Sequence, residues 1–239
     1  IAQSSSIEWV GIWRFMQGLS VPGITVVTIA YIGEEFEGRA MTDLMSFYVS
    51  GSVLGGFMGR FLLGHLHEFF GWRQAYYVLA ILTLISALWV AKTLPVSRQF
   101  VANPNFRSAI QTLGSHLVNR YVVTACLLGA CVLFSLVGCF TFINLYLADT
   151  PYHLGTGALA NIFAVYLIGV IITPLSTILL RRFGSARTII VAVIISMLGV
   201  LLTLATPLWL IVIGLGVMSS GVFVTQSATI SYIAVNVKQ

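Results

Sequence analysis

The chain has 239 residues, of which 58% are hydrophobic and only 8% are charged. Soluble domains carry about 25% charged residues, so this composition excludes an ordinary soluble domain and predicts an all-α polytopic membrane protein. The net charge of +5 comes from basic residues scattered between apolar segments. This distribution argues against a nucleic-acid-binding patch and leaves the lipid bilayer as the expected partner.

Seven apolar segments are long enough to cross about 30 Å of hydrocarbon at about 1.5 Å per residue. They cover residues 9–32, 45–66, 72–94, 121–148, 160–180, 188–205 and 208–233. The longest connection, 95–120, starts with Pro95 and then shows helical spacing from Phe106 to Leu117, which predicts a short amphipathic helix at the membrane surface. Because the chain begins with isoleucine almost directly in a span, we expect it to be part of a longer protein.

The first segment contains a single charged side chain, Arg14, about one and a half turns from its start. A guanidinium at that depth costs at least a few kcal/mol unless it is paired or faces water. One interpretation is that Arg14 extends to the outer interface beside Trp9 and Trp13. The other is that it faces a central cavity and pairs with a helix outside this chain.

The second segment contains several closely spaced glycines, each of which costs about 1 kcal/mol relative to alanine in a helix. Gly51, Gly55 and Gly59 recur at every fourth position, and Gly56 and Arg60 belong to the neighbouring row. Both rows lie on one side of a helix and leave a groove that another helix backbone can approach closely. Arg60 is open to two interpretations, contact with outer-leaflet water or a role in function.

The basic residues predict the orientation of the spans in the membrane. Nine of the 12 fall on one side, one falls on the other, and two lie within spans. The nine are Arg39, Lys92, Arg98, Arg107, Arg120, Arg181, Arg182, Arg187 and Lys238. We therefore expect the 95–120 connection to be cytoplasmic.

Several neutral polar side chains lie inside or at the ends of spans. Asn144 is costly in lipid and should face a neighbouring helix or a cavity. Aromatic and amide side chains make a pocket that tolerates amphiphiles, so Tyr31, Asn144, Tyr146 and Gln226 are candidates for a substrate cavity. Each of them taken alone is also explained by packing.

The titratable residues within the seven segments predict no catalytic or metal site. None of these segments contains an aspartate or a glutamate, and the three cysteines lack metal-ligand spacing. The cluster of Glu34, Glu35 and Glu37 is expected to be a solvated helix end. We therefore predict that the protein is not an enzyme.

Two of these patterns resemble motifs of one transporter family. The run from Gly51 to Arg60 resembles the fifth-helix antiporter motif of the major facilitator superfamily, G-x-x-x-G-P-x-x-G-G, with Gly56 in place of proline and Arg60 in place of the last glycine. Arg14, Gln17 and Gly18 match the fourth-helix motif R-x-x-Q-G.

A third pattern resembles a loop motif of the same family. Arg182-Phe183-Gly184 is similar to the degenerate second copy of the loop between helices eight and nine. Arg181 stands at the aspartate position of that motif, so its usual gating charge pair is not assumed. The segments 28–32 and 229–233 also match at four of five positions, as expected for related halves.

The resemblance implies a partial major facilitator fold, with helices four to ten of twelve. Residues 1–94 would end the N-terminal six-helix bundle, 95–120 would connect the bundles, and 121–239 would start the C-terminal bundle. The implied protein is a monomeric exporter of small organic molecules in the bacterial inner membrane. It would work by alternating access and proton antiport, with the proton gradient as driving force and no cofactor.

The resemblance also implies roles for individual residues and leaves alternatives to weigh. Arg14, Gln17 and Gly18 would take part in coupling, and the glycine rows with Arg60 in packing and gating. The missing helices of the same protein would supply the proton-carrying acid. The alternatives are a seven-helix receptor or sensor and, more remotely, an intramembrane enzyme.

Overall fold

The computed structural model describes residues 1–98, 114 and 118–236, and within these residues the chain forms helices and no strand. The α-helices are α1 (Ile7–Glu35), α2 (Gly38–Phe70), α3 (Trp72–Thr93), α4 (Arg120–Ala148), α5 (Thr156–Ile162), α6 (Ile168–Phe183), α7 (Ser185–Leu202) and α8 (Leu208–Asn236). A 3-10 segment, Phe163–Leu167, connects α5 to α6. The amphipathic helix predicted within 95–120 falls almost wholly outside the described residues.

Six stretches of the described chain are long and apolar enough to cross a membrane, with α5, the 3-10 segment and α6 counting as one. Each of them coincides with one of the predicted spans to within a few residues at its ends, so the protein is an all-α multi-pass membrane protein. The remaining predicted span, 45–66, lies in the 33-residue helix α2, which is not among the six. The six glycines, the serines and Arg60 of α2 make it less apolar than the six spanning stretches.

The chain divides into two compact units. In the described residues, the first unit contains α1, α2, α3 and residues 155–161. The second contains α4 and the chain from Ile162 onward. The boundary at 161/162 therefore falls next to the 3-10 segment.

Two tight turns between consecutive helices depend on glycine. Gly71 separates α2 from α3 with φ +83° and ψ 163°, and Gly184 separates α6 from α7 with φ +75° and ψ 166°. Glycine is essentially the only residue that adopts this backbone region. In each turn the glycine N–H donates to the carbonyl four residues earlier, at 3.0 Å, and so ends one helix where the next begins.

The second unit has its densest packing between α7 and α8. Gly199 lies so close to α8 that an added Cβ would be 2.7 Å from the Gly214 carbonyl oxygen and from the Met218 Cα. The Ser196 hydroxyl also donates to the Met218 carbonyl at 3.1 Å. Small residues allow this approach of two backbones, which is how helices associate in lipid.

The outer surfaces of both units are apolar. In the first unit, for example, Phe15, Ile24 and Val27 of α1 are each more than 60% exposed. Such side chains in helices of membrane-spanning length are the ones expected to contact lipid. Polar groups interrupt this surface at several places, and some of them form the candidate site.

Candidate functional site

Arg14 forms a polar contact between two helices of the first unit. Its Nη2 donates to the hydroxyl of Tyr76 on α3, and its guanidinium carbon lies 5.6 Å from the centre of the Tyr76 ring. Its Nη1 donates to Oε1 of Gln17, one turn along α1, at 3.3 Å. We call Arg14, Gln17 and Tyr76 the Arg14 cluster. An added Cβ at Gly18, the last residue of the motif, would meet no described atom within 4 Å.

The other end of α1 is also joined to the end of α3. The Tyr31 hydroxyl donates to the Pro95 carbonyl at 3.2 Å. Oε1 of Glu35 accepts hydrogen bonds from the Ser97 hydroxyl at 2.6 Å and from the Arg98 backbone N–H at 2.5 Å. The expectation that Glu35 is only a solvated surface group was therefore incomplete, because its carboxylate closes a turn within the first unit.

The glycine face of α2 has one close contact and a long open stretch. An added Cβ at Gly51, Gly55 or Gly59 would meet no atom of the described residues within 4 Å. Arg60 Nη1 donates a hydrogen bond to the Gly56 carbonyl at 2.9 Å. The Arg60 side chain therefore lies beside the space that a side chain at Gly56 would occupy. The close packing predicted for this row is thus not made at these three glycines by the described residues.

The close contact of α2 is made at Gly64. An added Cβ there would lie 2.9 Å from the Thr156 carbonyl oxygen and would collide with the Ala160 side chain. Four residues later, the Glu68 carboxylate lies against Gly157. All of these residues belong to the first unit. Glycine and alanine are needed here because two helix backbones nearly touch.

The 3-10 segment in the second unit is surrounded by aromatic rings. Phe163 stacks on Phe140, with ring centroids 5.2 Å apart and planes at 22°. Tyr166 packs edge-on against Phe140 at 4.7 Å and against Phe223 of α8 at 6.3 Å. A 3-10 stretch inside a longer helix often marks a functional hinge. Phe163 and Tyr166 are not among the site residues predicted from the sequence, although their spacing of three residues was a usable signal.

Asn144 and Tyr146 lie near the end of α4 in the second unit. The Asn144 side-chain oxygen is buried and has no hydrogen-bond partner among the described residues. Tyr146 packs edge-on against Tyr152 at 5.4 Å, and the Tyr152 hydroxyl donates to the Thr206 carbonyl. Hydrogen bonding with Tyr146 raises the pKa of Tyr152, with a smaller contribution from burial.

The remaining predicted site residues have simpler surroundings. Gln226 is exposed on α8. Gly184 forms the turn described above, and its carbonyl accepts from the Thr188 hydroxyl at 2.8 Å. The guanidinium carbon of Arg182 lies 5.4 Å from the centre of the Phe183 ring. Within the described part of the chain, no group of three histidine, cysteine, aspartate or glutamate side chains is placed to hold a metal ion.

Comparison with known proteins shows which family this chain resembles. The family model described as the Major Facilitator Superfamily matches residues 1–238. An uncharacterized transporter of Buchnera aphidicola subsp. Schizaphis graminum is 28% identical over 226 residues, which cover 94% of this chain and 55% of that protein. The uncharacterized MFS-type transporter YybF of Bacillus subtilis strain 168 is 27% identical over 233 residues, covering 97% and 58%.

A third relative is named by its membrane. The inner membrane transport protein YnfM of Escherichia coli strain K12 is 29% identical over 180 residues, covering 74% of this chain and 43% of that protein. The chain spans about half the length of the curated relatives it matches. No solved structure is significantly similar to it.

Proposed function

The chain belongs to the major facilitator superfamily, and on that premise we propose that it acts in a secondary active transporter that exports small organic molecules by proton antiport. The proposed mechanism is alternating access, in which helical bundles move around a binding site and no covalent chemistry is done on the substrate. The proposed location is the bacterial inner membrane. The relatives described above are named as transporters, which supports transport over a receptor or an enzyme.

The observation that carries the coupling part of this proposal is the Arg14 cluster. A guanidinium in a membrane-spanning helix is costly, so such residues usually serve a functional site. Arg14 is linked to α3 through Tyr76 and to its own helix through Gln17. We propose that a change of charge near this cluster alters the contact between α1 and α3, which links proton movement to a change in helix position.

The open glycine face of α2 supports the movement part of the proposal. Gly51, Gly55 and Gly59 leave a smooth surface that the described residues do not cover. We propose that another helix of the transporter closes against this surface in one state and leaves it in another. Gly55→Leu should then insert normally and block transport, whereas Gly11→Leu, at an open position of α1, should leave transport intact.

Each residue that we propose to contact the substrate is assigned to one of the two units. Tyr31 belongs to the first unit, and Asn144, Tyr146 and Gln226 belong to the second. The unsatisfied Asn144 oxygen is the strongest of these candidates, because a buried acceptor without a partner lowers the stability of the folded protein by about 1–3 kcal/mol. A substrate donor group would remove that cost.

The test is export of a panel of fluorescent small organic molecules from membrane vesicles with an imposed pH gradient. Arg14→Lys keeps the charge but loses the planar set of donors, so we expect about a tenfold lower rate, with Arg14→Gln lower still. Tyr76→Phe should reduce the rate partially, because it removes only the hydroxyl that Arg14 contacts. Rates are normalised to the amount of protein inserted.

The matched control is Arg98→Gln, since the one contact described for Arg98 comes from its backbone N–H. It should transport at the wild-type rate. Wild-type rates for both Arg14 variants would remove the Arg14 cluster from the coupling mechanism. Substrate binding without movement across the membrane, in wild type and variants alike, would favour a receptor or sensor.

A further inference from the structure

An apolar groove of about 560 Å³ opens on the second unit between α6, α7 and α8. We call it the acyl groove. Its walls include Leu175, Leu179, Phe183, Val191, Ile195 and Val224. Clefts that hold small ligands have volumes of about 300–1,000 Å³, so the acyl groove is large enough for one.

The polar groups in the walls do not require a polar ligand. The hydroxyls of Ser176, Thr188 and Ser220 each donate to a carbonyl of their own chain segment, at 2.6, 2.8 and 2.8 Å. No wall hydroxyl therefore needs a partner from outside. The interior of the acyl groove is suited to a hydrocarbon chain.

The mouth of the groove is cationic. Arg187 is the one charged side chain that lines it among the described residues. Arg182 lies over the ring of Phe183, another wall residue, with its guanidinium carbon 5.4 Å from the ring centre. No aspartate or glutamate follows Asp149 in the sequence, so this part of the chain has no carboxylate to neutralise the two arginines.

The length of the groove corresponds to one leaflet. Its wall on α6 runs from Ile172 to Phe183, and the eleven steps between these two residues span about 16 Å at the rise of an α-helix. One leaflet contributes about half of the 30 Å hydrocarbon core. The two arginines flank Gly184, where two helices of membrane-spanning length meet, so the cationic mouth lies at the end of the spans.

We propose that the acyl groove binds one chain of an anionic phospholipid, whose phosphate contacts Arg187 and Arg182. The groove is apolar and about as long as one leaflet, which suits the acyl chain of such a lipid. The two arginines at its mouth have no carboxylate to neutralise them, which suits the phosphate. Basic pockets between transmembrane helices bind anionic headgroups in the same way. The site lies within the second unit and is independent of the transport proposal.

The test is native mass spectrometry of the delipidated protein, produced in cells at its natural length. It is titrated with phosphatidylglycerol, with phosphatidylcholine of the same acyl chains, and with inorganic phosphate. We expect stoichiometric binding of phosphatidylglycerol, weaker binding of phosphatidylcholine, and no binding of phosphate alone. Phosphate binding as tight as that of phosphatidylglycerol would assign the arginines to a soluble anion and overturn the proposal.

Two pairs of variants locate the site. Arg187→Gln should weaken phosphatidylglycerol binding about fivefold, the effect of one basic residue near a membrane surface. Its control is Arg181→Gln, which removes the same charge. Arg181 follows the wall residue Ile172 by nine residues and therefore lies on the opposite face of α6. Equal losses for Arg187→Gln and Arg181→Gln would show non-specific charge attraction and contradict a defined site.

The second pair tests the apolar part of the site. Val191→Trp, at an exposed wall residue, should fill the acyl groove and weaken binding, whereas Ile194→Trp, exposed on α7 outside the wall, should not. A photo-reactive benzoylphenylalanine at Val191 should cross-link to lipid in membranes. Cross-linking to another segment of protein instead would identify a helix as the occupant and refute the proposal.

Discussion

Replacing Gly199 by alanine should test whether the closest helix contact of the second unit stabilises the protein. The new Cβ would lie 2.7 Å from the Gly214 oxygen and the Met218 Cα, and closer still to the Met218 nitrogen, whereas ordinary contact begins at 3.4 Å. All three atoms belong to the backbone of α8. The contact can be relieved only if α7 and α8 separate by about 0.7 Å or more.

The cost of this separation follows from the loss of contacts along the interface. A gap of about 0.5–1 Å forfeits a quarter to a half of the attraction between two atoms. Overpacking typically costs about 1–3 kcal/mol, and we expect about 3 because the clashing atoms are backbone. Alanine restores about 1 kcal/mol of helix propensity, which leaves a net loss of about 2 kcal/mol.

The measurement is the midpoint of thermal unfolding in detergent, followed by fluorescence-detected size-exclusion chromatography. A net loss of about 2 kcal/mol corresponds to a decrease of about 4–8 °C for a chain of this size. The control is Gly216→Ala on α8, where, among the described residues, an added Cβ would meet only Val165 Cγ1, at an ordinary 3.8 Å. It should unfold at the wild-type temperature or slightly above it. A Gly199→Ala protein as stable as Gly216→Ala would refute the claim that backbone approach holds α7 to α8.

Three further predictions follow from the turns, the orientation and the aromatic pair. Gly184→Ala should lower stability by about 1–3 kcal/mol in the same unfolding assay, because its backbone conformation is essentially restricted to glycine. In a cysteine-free background, a cysteine at position 97 in place of Ser97 should be shielded from an impermeant thiol reagent outside intact cells, and one replacing Thr206 should react; the opposite pattern would invert the proposed orientation. Tyr146→Phe should lower the raised pKa of Tyr152 towards its ordinary value of 10.0, seen by tyrosinate absorbance. The stability that this hydrogen bond contributes is present below pH 10 and is lost as the pH rises through the raised pKa, so an unchanged titration in the variant would contradict its cause.

The helices of this protein could be predicted from the sequence because each one depends on interactions close along the chain. Apolar runs of about 20 residues specify helices that satisfy their own backbone hydrogen bonds in lipid. The predicted spans lie within observed helices apart from a residue or a few at two helix ends, except that 160–180 runs through α5, the 3-10 segment and α6. The segment of α2 was predicted as a span like the other six, whereas its glycines, serines and Arg60 leave it outside the six most apolar stretches of the described residues. The resemblance to the major facilitator superfamily was confirmed by the family model, which matches residues 1–238.

The partners of particular residues were decided by the tertiary structure. The spacing of Arg14 and Gln17 placed both on one helix, but the hydroxyl that Arg14 contacts belongs to Tyr76, 62 residues away. Nothing in the local pattern of either helix specifies that pair. Glu35 likewise could not be distinguished from a solvated carboxylate until Ser97 was placed beside it.

The glycines show most clearly which features the sequence determined and which features the tertiary structure decided. The regular row at Gly51, Gly55 and Gly59 predicted a close helix contact, yet the described residues make close contacts at other glycines, among them Gly64 and Gly199. A helix repeats its residues by local hydrogen bonding, so the sequence by itself determined that these glycines form smooth faces. Whether a smooth face is covered depends on which distant surface is complementary to it in shape, because in lipid there is little hydrophobic drive to bring two helices together without such a fit.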